Sequence, residues 1–236
     1  MRILLLGHGR MGQLVESLAP SYGATVAGVI DDRSGERAIA DGDFGPVDVA
    51  IDFTLADAVV KNLPQLAERK INVVIGTTGW QAHEAAMRAL AASAGIGVLA
   101  ASNFSLGMNV FQMAVEEASR RFANHAEFGA WIHESHHTMK KDAPSGTALT
   151  LKAGMESAGY GRPIDVSSTR VGTVPGTHTV GFDGPSETIE FTHTVRDRAV
   201  FARGALTAAA WLAGKRGWFS MHDMLRASAV GNRESK

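Results

Sequence analysis

The 236-residue sequence predicts an α/β fold with parallel strands, joined to a second region of α+β character. Up to Asn103, short runs rich in Val, Ile and Leu alternate with segments of helical periodicity, as in βαβ units. After Asn103 a long helical segment is followed by alternating polar and apolar residues, the pattern of half-exposed strands. We therefore expect two domains, 1–105 and 106–212, with the last segment, about 213–236, packing back on the first.

Five strands and three helices are predicted before the boundary. The strands are Ile3–Leu6, Thr25–Ile30, Val47–Phe53, Val73–Ile75 and Val98–Ala101, and the helices are Met11–Ala19, Ala56–Glu68 and Gln81–Ser93. The polar segment 34–46, rich in Asp and Gly, predicts a loop in place of a full helical crossover.

The second domain is predicted to be an open mixed or antiparallel sheet with helices. Helices are expected at Leu106–Phe122, from about Gly146 to Ala158 and over a short stretch from Ala205, and strands at 127–134 and Glu187–Val195. His193 lies on the apolar face of the last strand, and we interpret it as a residue at a sheet margin.

Composition excludes several classes of protein. The sequence is 45% hydrophobic, has a formal net charge of -1 and contains no cysteine. Cysteine-based catalysis and disulfides are therefore excluded, and no basic patch suggests nucleic acid or an anionic membrane surface as a partner. No apolar run approaches the roughly 20 residues of a membrane span. We expect a cytoplasmic protein.

The first turn carries a motif. Gly7, Gly9 and Gly12 have the G-x-G-x-x-G spacing between a predicted strand and a helix, and Asp31 follows at the end of the second strand. Such glycines allow a tight turn, close approach of a pyrophosphate and close helix–strand packing, while the acid accepts hydrogen bonds from a ribose. The pattern predicts a Rossmann-type domain that binds NADH, NADPH or both. Asp31 and Asp32 favour NADH, whereas Arg33 leaves open the use of both NADH and NADPH.

Two further segments end predicted parallel strands, where open α/β sheets bind ligands. These are Gly76–Trp80 and Ala101–Asn109. Their small and hydroxyl side chains suit a nicotinamide, although ordinary strand-end turns explain them equally well.

The stretch 134–148, "ESHHTMKKDAPSGTA", has three interpretations. With His133 it matches the zinc-protease pattern H-E-x-x-H, which requires a helix, but the flanking sequence alternates like a strand. It is also compatible with a solvated polar loop. The third interpretation is a catalytic site. Ser145 would cap a helix whose first N–H groups bind an anion, and the histidines and lysines would handle protons.

This stretch resembles the motif of the dihydrodipicolinate reductase (4-hydroxy-tetrahydrodipicolinate reductase) family of lysine and diaminopimelate biosynthesis. The resemblance extends along the chain through "GHGRMG", "IDFT", "GTTG", "NFSLGMN", "TRVGTVPGTHTVGF" and "RAVFARGALTAAAWL". It implies an NAD(P)H-dependent reductase that transfers hydride to a cyclic unsaturated imine carrying two carboxylates. It also implies that region 106–212 binds substrate and forms a homotetramer.

The resemblance assigns roles to individual residues. His136 and Lys140 are implied as the groups that handle the proton, with Lys140 preferred over Lys141. The implied substrate-binding residues are His137, Ser145, Gly146 and Thr147. The implied cofactor-binding residues are Gly7, His8, Gly9, Arg10, Met11, Gly12, Asp31, Gly76, Thr77, Thr78, Ala101, Ser102, Asn103 and Phe104. No metal is expected. One alternative is a catalytically silent NAD-binding regulator. The other is a metalloprotease, which the strand-like flanking sequence disfavours.

Overall fold

The structure, a computed structural model, describes residues 1–35 and 37–231, and its chain divides into two compact units. The first unit comprises Met1–Leu106 together with the chain from Ala199 onward, and the second comprises Gly107–Arg198. The predicted α/β class with a separate mixed sheet is confirmed. In the described part of the chain, no helix combines the length and apolar character that crossing a bilayer requires.

A parallel sheet forms the centre of the first unit. Its six described strands, numbered in chain order, are β1 (Arg2–Leu6), β2 (Thr25–Ile30), β3 (Val49–Asp52), β4 (Asn72–Ile75), β5 (Gly97–Ala100) and β10 (Gly217–Phe219). They lie in the order β10-β5-β4-β3-β1-β2. The five strands predicted before the boundary are confirmed. The sequence did not predict β10, because three residues at a sheet edge carry too little periodicity.

The helices of the first unit precede or follow these strands in the chain. They are α1 (Arg10–Leu18), α2 (Ala38–Asp41), α3 (Ala56–Glu68), α4 (Glu84–Ala94), α7 (Ala199–Leu212) and α8 (Met221–Gly231). The predicted helix at Gln81 begins as a 3₁₀ turn before α4. The prediction of a plain loop over 34–46 was wrong for α2, where the buried side chain of Ile39 anchors one helical turn in the core. Glu36 lies outside the described residues.

Both faces of the parallel sheet are covered. Alternate residues of β1 point to opposite sides, so that Ile3 and Leu5 belong to one hydrophobic cluster and Leu4 and Leu6 to the other. The first cluster includes residues of α1 and α7, and the second includes residues of α3 and α4. Burial on both faces explains why these strands are continuous apolar runs.

The assignment of α7 to the second domain was wrong. This helix starts at Ala199 and belongs to the first unit, and both its leucines and four of its alanines are buried in the cluster that also contains Leu5 and Val15. Gly204 shows how closely it packs, since a Cβ there would lie 1.7 Å from the carbonyl oxygen of Phe104. The described part of the C-terminal segment, which was predicted to pack back on the first domain, is grouped with the first unit. Residues 232–236 of that prediction lie outside the described residues.

The second unit contains a mixed four-stranded sheet with two helices. The strands β6 (Gly129–His136), β7 (Ile164–Arg170), β8 (Thr177–Asp183) and β9 (Thr188–Thr194) lie in the order β7-β6-β8-β9. Only the β6–β7 pair is parallel among them. The helices α5 (Leu106–Phe122) and α6 (Gly146–Ser157) contribute Val115 and Leu151 to a core with Ile132 and Phe182. These helices and the strands β6 and β9 confirm the predicted elements.

Candidate active site

The glycine turn in the first unit has the geometry that its spacing predicts. Gly7 has a φ of 88°, and its N–H donates to the carbonyl of Ile30 at 2.7 Å. A Cβ at Gly12 would lie 2.1 Å from the carbonyl oxygen of Gly7, whereas a Cβ at Gly9 would meet nothing within 4 Å. Gly7 therefore makes the turn, Gly12 permits the close packing of α1, and Gly9 leaves open space at the start of that helix.

A cavity of about 610 Å³ opens beside this turn. Four of the residues predicted to bind a cofactor line it, namely Gly7, His8, Gly9 and Asp31. The rest of its lining is Gln13, Ile30, Asp32, Arg33, Phe53, Thr54, Leu55, Ala58 and Asn62. Of these, Asp32 and Arg33 had entered the sequence analysis through the choice between NADH and NADPH, and Phe53 and Thr54 lie in its "IDFT" motif. Small residues around a cavity at a helix N-terminus fit the phosphates of a dinucleotide.

The other predicted cofactor residues lie outside this lining. Arg10, Met11 and Gly12 form the first turn of α1, and 76–78 and 101–104 follow β4 and β5. Phe104 is buried against Phe53, with ring centroids 6.1 Å apart, so its side chain is a core residue in this structure.

Asp31 is paired with Arg33 at the edge of the cavity. The carboxylate of Asp31 accepts hydrogen bonds from the backbone N–H and the Nε–H of Arg33, each at 3.0 Å. The hydrogen bond from the Arg33 side chain is the main reason why the pKa of Asp31 is lowered. The cavity thus has an ionised carboxylate and, beside it, the Arg33 side chain, which is 83% exposed.

Asp52 is a buried carboxylate at the end of β3. It accepts hydrogen bonds from the backbone N–H of Thr54 at 2.9 Å, the amide of Asn62 at 3.1 Å and the hydroxyl of Thr77 at 3.2 Å. Burial raises the pKa of Asp52, and these hydrogen bonds oppose that rise. Because Thr54 and Asn62 line the cavity, Asp52 holds part of its wall in place.

In the second unit, strand β6 places part of the 134–148 segment in the interior. Ile132, Glu134 and His136 are buried on one face of the strand, and His133 lies on the other. The imidazole of His133 contacts the hydroxyl of Ser167 at 2.9 Å and that of Ser135 at 3.2 Å. Since His133 is in a strand, the helical condition of the H-E-x-x-H pattern is not met. Within residues 1–35 and 37–231, no three His, Asp or Glu side chains are grouped so that they could hold a metal ion.

Glu134 is the centre of a buried polar network. Its carboxylate accepts hydrogen bonds from both terminal nitrogens of Arg170, at 2.8 and 3.0 Å, and from Nδ1 of His136. The backbone N–H of Ser145 also donates to it, at 3.2 Å. Burial is the largest influence and raises the pKa of Glu134, but hydrogen bonds from Arg170, Ser168 and His136 together lower it to about 2. Glu134 is therefore a fully buried carboxylate that stays ionised.

Lys140 lies in the loop after β6. Its Nζ donates to both carboxylate oxygens of Asp142 at 2.8 Å, and the same carboxylate accepts the N–H of Gly146 at 3.4 Å. These ion-pair and backbone contacts lower the pKa of Asp142, with the hydrogen bond from Lys140 as the largest cause. The first N–H of α6 already faces a carboxylate oxygen, which is the chemistry expected of an anion site.

Ser145 caps α6 as predicted. Its Oγ accepts the N–H of Ala148 at 3.2 Å and contacts Nε2 of His178 at 3.0 Å. His178 is buried, its ring lies 5.1 Å from that of His136, and its Nδ1 has no hydrogen-bond partner among the residues described. Burial is the main cause that lowers the pKa of His178 to about 4, with a further contribution from nearby His136. His178 is therefore neutral at physiological pH.

The arrangement groups the predicted residues of the second unit. His136, Lys140, Ser145 and Gly146 are linked through Glu134 and Asp142, and His137 and Thr147 are adjacent to them in the chain, both partly exposed. Such a cluster combines groups that exchange protons with N–H groups that bind a carboxylate.

Comparisons with known proteins match both parts of the chain to one family. A family model described as "Dihydrodipicolinate reductase, N-terminus" matches residues 1–104, and one described as "Dihydrodipicolinate reductase, C-terminus" matches residues 107–225. The chain belongs to the dihydrodipicolinate reductase family. Membership gives the chain the fold of this family and its reductase function, and it implies a nicotinamide dinucleotide as the cofactor.

Individual relatives agree with this membership. The 4-hydroxy-tetrahydrodipicolinate reductase of Christiangramia forsetii is 36% identical over 236 residues, covering 95% of this chain and 98% of the relative. The enzyme of the same name from Stenotrophomonas maltophilia is 39% identical over 241 residues, covering 96% of this chain and 98% of the relative. Among solved structures, a dipicolinate-bound dihydrodipicolinate reductase from Paenisporosarcina sp. TG-14 has the same fold. Its TM-score is 0.79 at 20% identity, covering 93% of this chain and 97% of that one.

Sequence reasoning missed three residues of the polar network, Glu134, Arg170 and His178. Glu134 could have been found, because it alternates with His136 along a strand and so shares its face. Arg170 and His178 are brought beside β6 by pairing with β7 and β8, where His136 is opposite Arg170 and Glu134 is opposite His178. Strand register of this kind is not readable from one sequence.

Proposed function

We propose that this chain catalyses the NAD(P)H-dependent reduction of 4-hydroxy-tetrahydrodipicolinate to tetrahydrodipicolinate in diaminopimelate and lysine biosynthesis. The observation that carries the proposal is the linked cluster of His136, Lys140 and the N-terminus of α6. Loss of the 4-hydroxyl group as water leaves a cyclic unsaturated imine, to whose ring a bound nicotinamide would supply the hydride. The residues of this chain bind the two carboxylates and supply the proton that balances the added negative charge.

The substrate carboxylates are assigned to the start of α6 and to nearby cations. The N–H groups of Gly146 and Thr147 bind one carboxylate, and Ser145 shapes the turn that presents them. His137 contacts the substrate. The contact between the Gly146 N–H and the Asp142 carboxylate supports this assignment, because it shows that an anionic oxygen fits there. A helix N-terminus adds its positive dipole end to these hydrogen bonds.

Lys140 is assigned as the proton donor, and His136 as the second group that handles the proton. Lys140→Ala is expected to lower kcat by about 10²-fold or more while dinucleotide binding is unchanged, which is the usual size of general-acid effects. The matched control is Lys141→Ala, since Lys141 is the exposed neighbour. The assay follows oxidation of NADH and NADPH in parallel, with substrate made by the preceding synthase. Unchanged turnover of Lys140→Ala would refute the assignment, and nucleotide binding without any oxidation by the unmodified protein would favour a silent regulator.

Both nicotinamide cofactors are assigned to the cavity beside the glycine turn. Asp31 is placed to accept hydrogen bonds from a ribose, and Arg33 offers a guanidinium to the additional phosphate of NADPH. The pairing of these two side chains supports use of both cofactors, because Arg33 offsets the charge that would otherwise repel that phosphate.

A cytoplasmic homotetramer is the assembly we propose, with the second unit providing the contacts. The edge strand β9 supports this, since Ile189 is 42% exposed there and exposed Thr side chains pair along β8 and β9. Analytical ultracentrifugation tests it, and a tetramer has four times the 25.0 kDa mass of the chain.

A further inference from the structure

Glu134 lies where a strand residue would normally be apolar. It alternates with Ile132 and His136 on the buried face of β6 and is fully inaccessible to solvent. A buried carboxylate is costly unless it is paired. Besides Ser168, the groups that donate to Glu134 are Arg170, His136 and the N–H of Ser145, and these belong to, or are next to, the proposed substrate site.

The first of these contacts sets the state of His136. An ionised carboxylate can only accept hydrogen bonds, so Nδ1 of His136 carries the proton that is shared with Glu134. The other ring nitrogen, Nε2, is then the atom available for proton exchange. Gly176 packs against that nitrogen, since a Cβ at this position would lie 3.0 Å from Nε2. The ring is thus held at Nδ1, and the glycine at position 176 leaves out the side-chain atom that would crowd Nε2.

The remaining contacts connect Glu134 to the rest of the site. Arg170, which binds Glu134 through two nitrogens, also donates to the backbone carbonyl of Asp142 at 2.6 Å. Asp142 holds Lys140. On the other side, the N–H of Ser145 fixes the start of α6 to the same Glu134 carboxylate.

We propose that Glu134, supported by Arg170, is a positioning residue for the proton transfer, which fixes the ring orientation and tautomer of His136 and leaves Nε2 to exchange the proton. The inference rests on the proposed function, because it acts through the role assigned to His136. A buried ion pair that only stabilises the fold would share the contacts but would not act through that histidine.

A double-mutant cycle separates these two roles. Glu134→Gln keeps the side-chain volume but leaves the guanidinium of Arg170 without its charged partner. If this unpaired charge prevents folding, the double variant Glu134→Gln/Arg170→Met is used in its place, because it removes both charges of the pair. Either variant is expected to lower kcat at least ~10-fold, and no more than His136→Gln does, with KM for the dinucleotide nearly unchanged. The control is Glu117→Gln, which removes a carboxylate paired with Arg120 and Arg121 on the surface of α5.

The cycle is completed by combining Glu134→Gln with His136→Gln. If Glu134 acts through His136, the combined variant has the same kcat as His136→Gln alone. Independent, multiplicative losses would overturn the proposal. Full turnover of His136→Gln alone would instead show that the role assigned to His136 is wrong, so the two failures are distinguishable.

The tautomer is also measurable in the unmodified protein. Nitrogen-15 NMR of the imidazole is expected to show the neutral ring of His136 protonated at Nδ1, and this preference should be lost in Glu134→Gln/Arg170→Met. A ring of the unmodified protein that is protonated at Nε2 would overturn the proposal without any variant.

Discussion

Alanine at Gly12 should lower stability, whereas alanine at Gly9 should weaken cofactor binding and change stability little. At Gly12 the added Cβ would lie 2.1 Å from the Gly7 carbonyl oxygen, and ordinary contact begins at 3.4 Å. The helix and the strand must therefore separate by about 1.3 Å, an overpacking that costs about 1–3 kcal/mol. For a protein of this length, that cost corresponds to a fall in Tm of roughly 2–12 °C.

At Gly9 the backbone has a φ of -72°, which any residue adopts, and the added Cβ meets nothing within 4 Å. A gain of about 0.4–1 kcal/mol from the less flexible unfolded chain is offset by the poorer helix cap that alanine makes. Tm should therefore stay within about 3 °C of the unmodified protein. In the proposed cofactor site the new methyl group lies where the pyrophosphate would approach, so Kd for NADH should rise at least ~10-fold, or about 1.4 kcal/mol.

Differential scanning fluorimetry and titration of NADH fluorescence measure both quantities on the same samples. The two variants serve as controls for each other, because they add the same atom to the same turn three residues apart. A Gly12→Ala protein as stable as the unmodified one would refute the close-packing argument. A Gly9→Ala protein with unchanged Kd would refute the assignment of the turn to the phosphates.

Three further predictions concern charged groups. The pKa of His178 is about 4 in the folded chain and 6.5 when unperturbed, so stability present above pH 6.5 should decline by about 3 kcal/mol as pH falls to 4. His178→Asn should remove this decline in urea denaturation, while the exposed control His83→Asn should retain it. Arg33→Ala should raise KM for NADPH about tenfold and change KM for NADH little, and equal changes would argue against a phosphate contact. Asp52→Ala leaves several donors without an acceptor and should lower the unfolding free energy by about 3 kcal/mol, so a loss under ~1 kcal/mol would contradict its structural role.

The parts of the fold that the sequence predicted are those with local patterns. The continuous apolar strands of the first unit and the capping Ser145 needed only neighbouring residues to be recognised. The error in assigning α7 concerns a longer-range relation. Helix α7 has an alanine-rich sequence that is apolar on most sides, and such a sequence does not reveal which sheet it covers.

The prediction of the candidate site was also limited to local patterns. His136 and Lys140 were found through one contiguous motif. Arg170 and His178 lie on other strands of the sheet and contact the motif only through strand register. Their own surroundings, rich in Gly, Thr and Val, have no pattern that indicates a buried charge or a neutral histidine.

The first unit is built from two separated pieces of chain, and this has a consequence for its synthesis. Residues 1–106 leave the ribosome first but lack α7, which buries the apolar side chains of one sheet face, and β10, which extends the sheet beyond β5. A growing chain therefore exposes an uncovered apolar surface until Leu212 has been added. We expect the isolated segment 1–106 to aggregate. Genetic fusion of 199–231 to its end should restore a soluble protein that binds nucleotide.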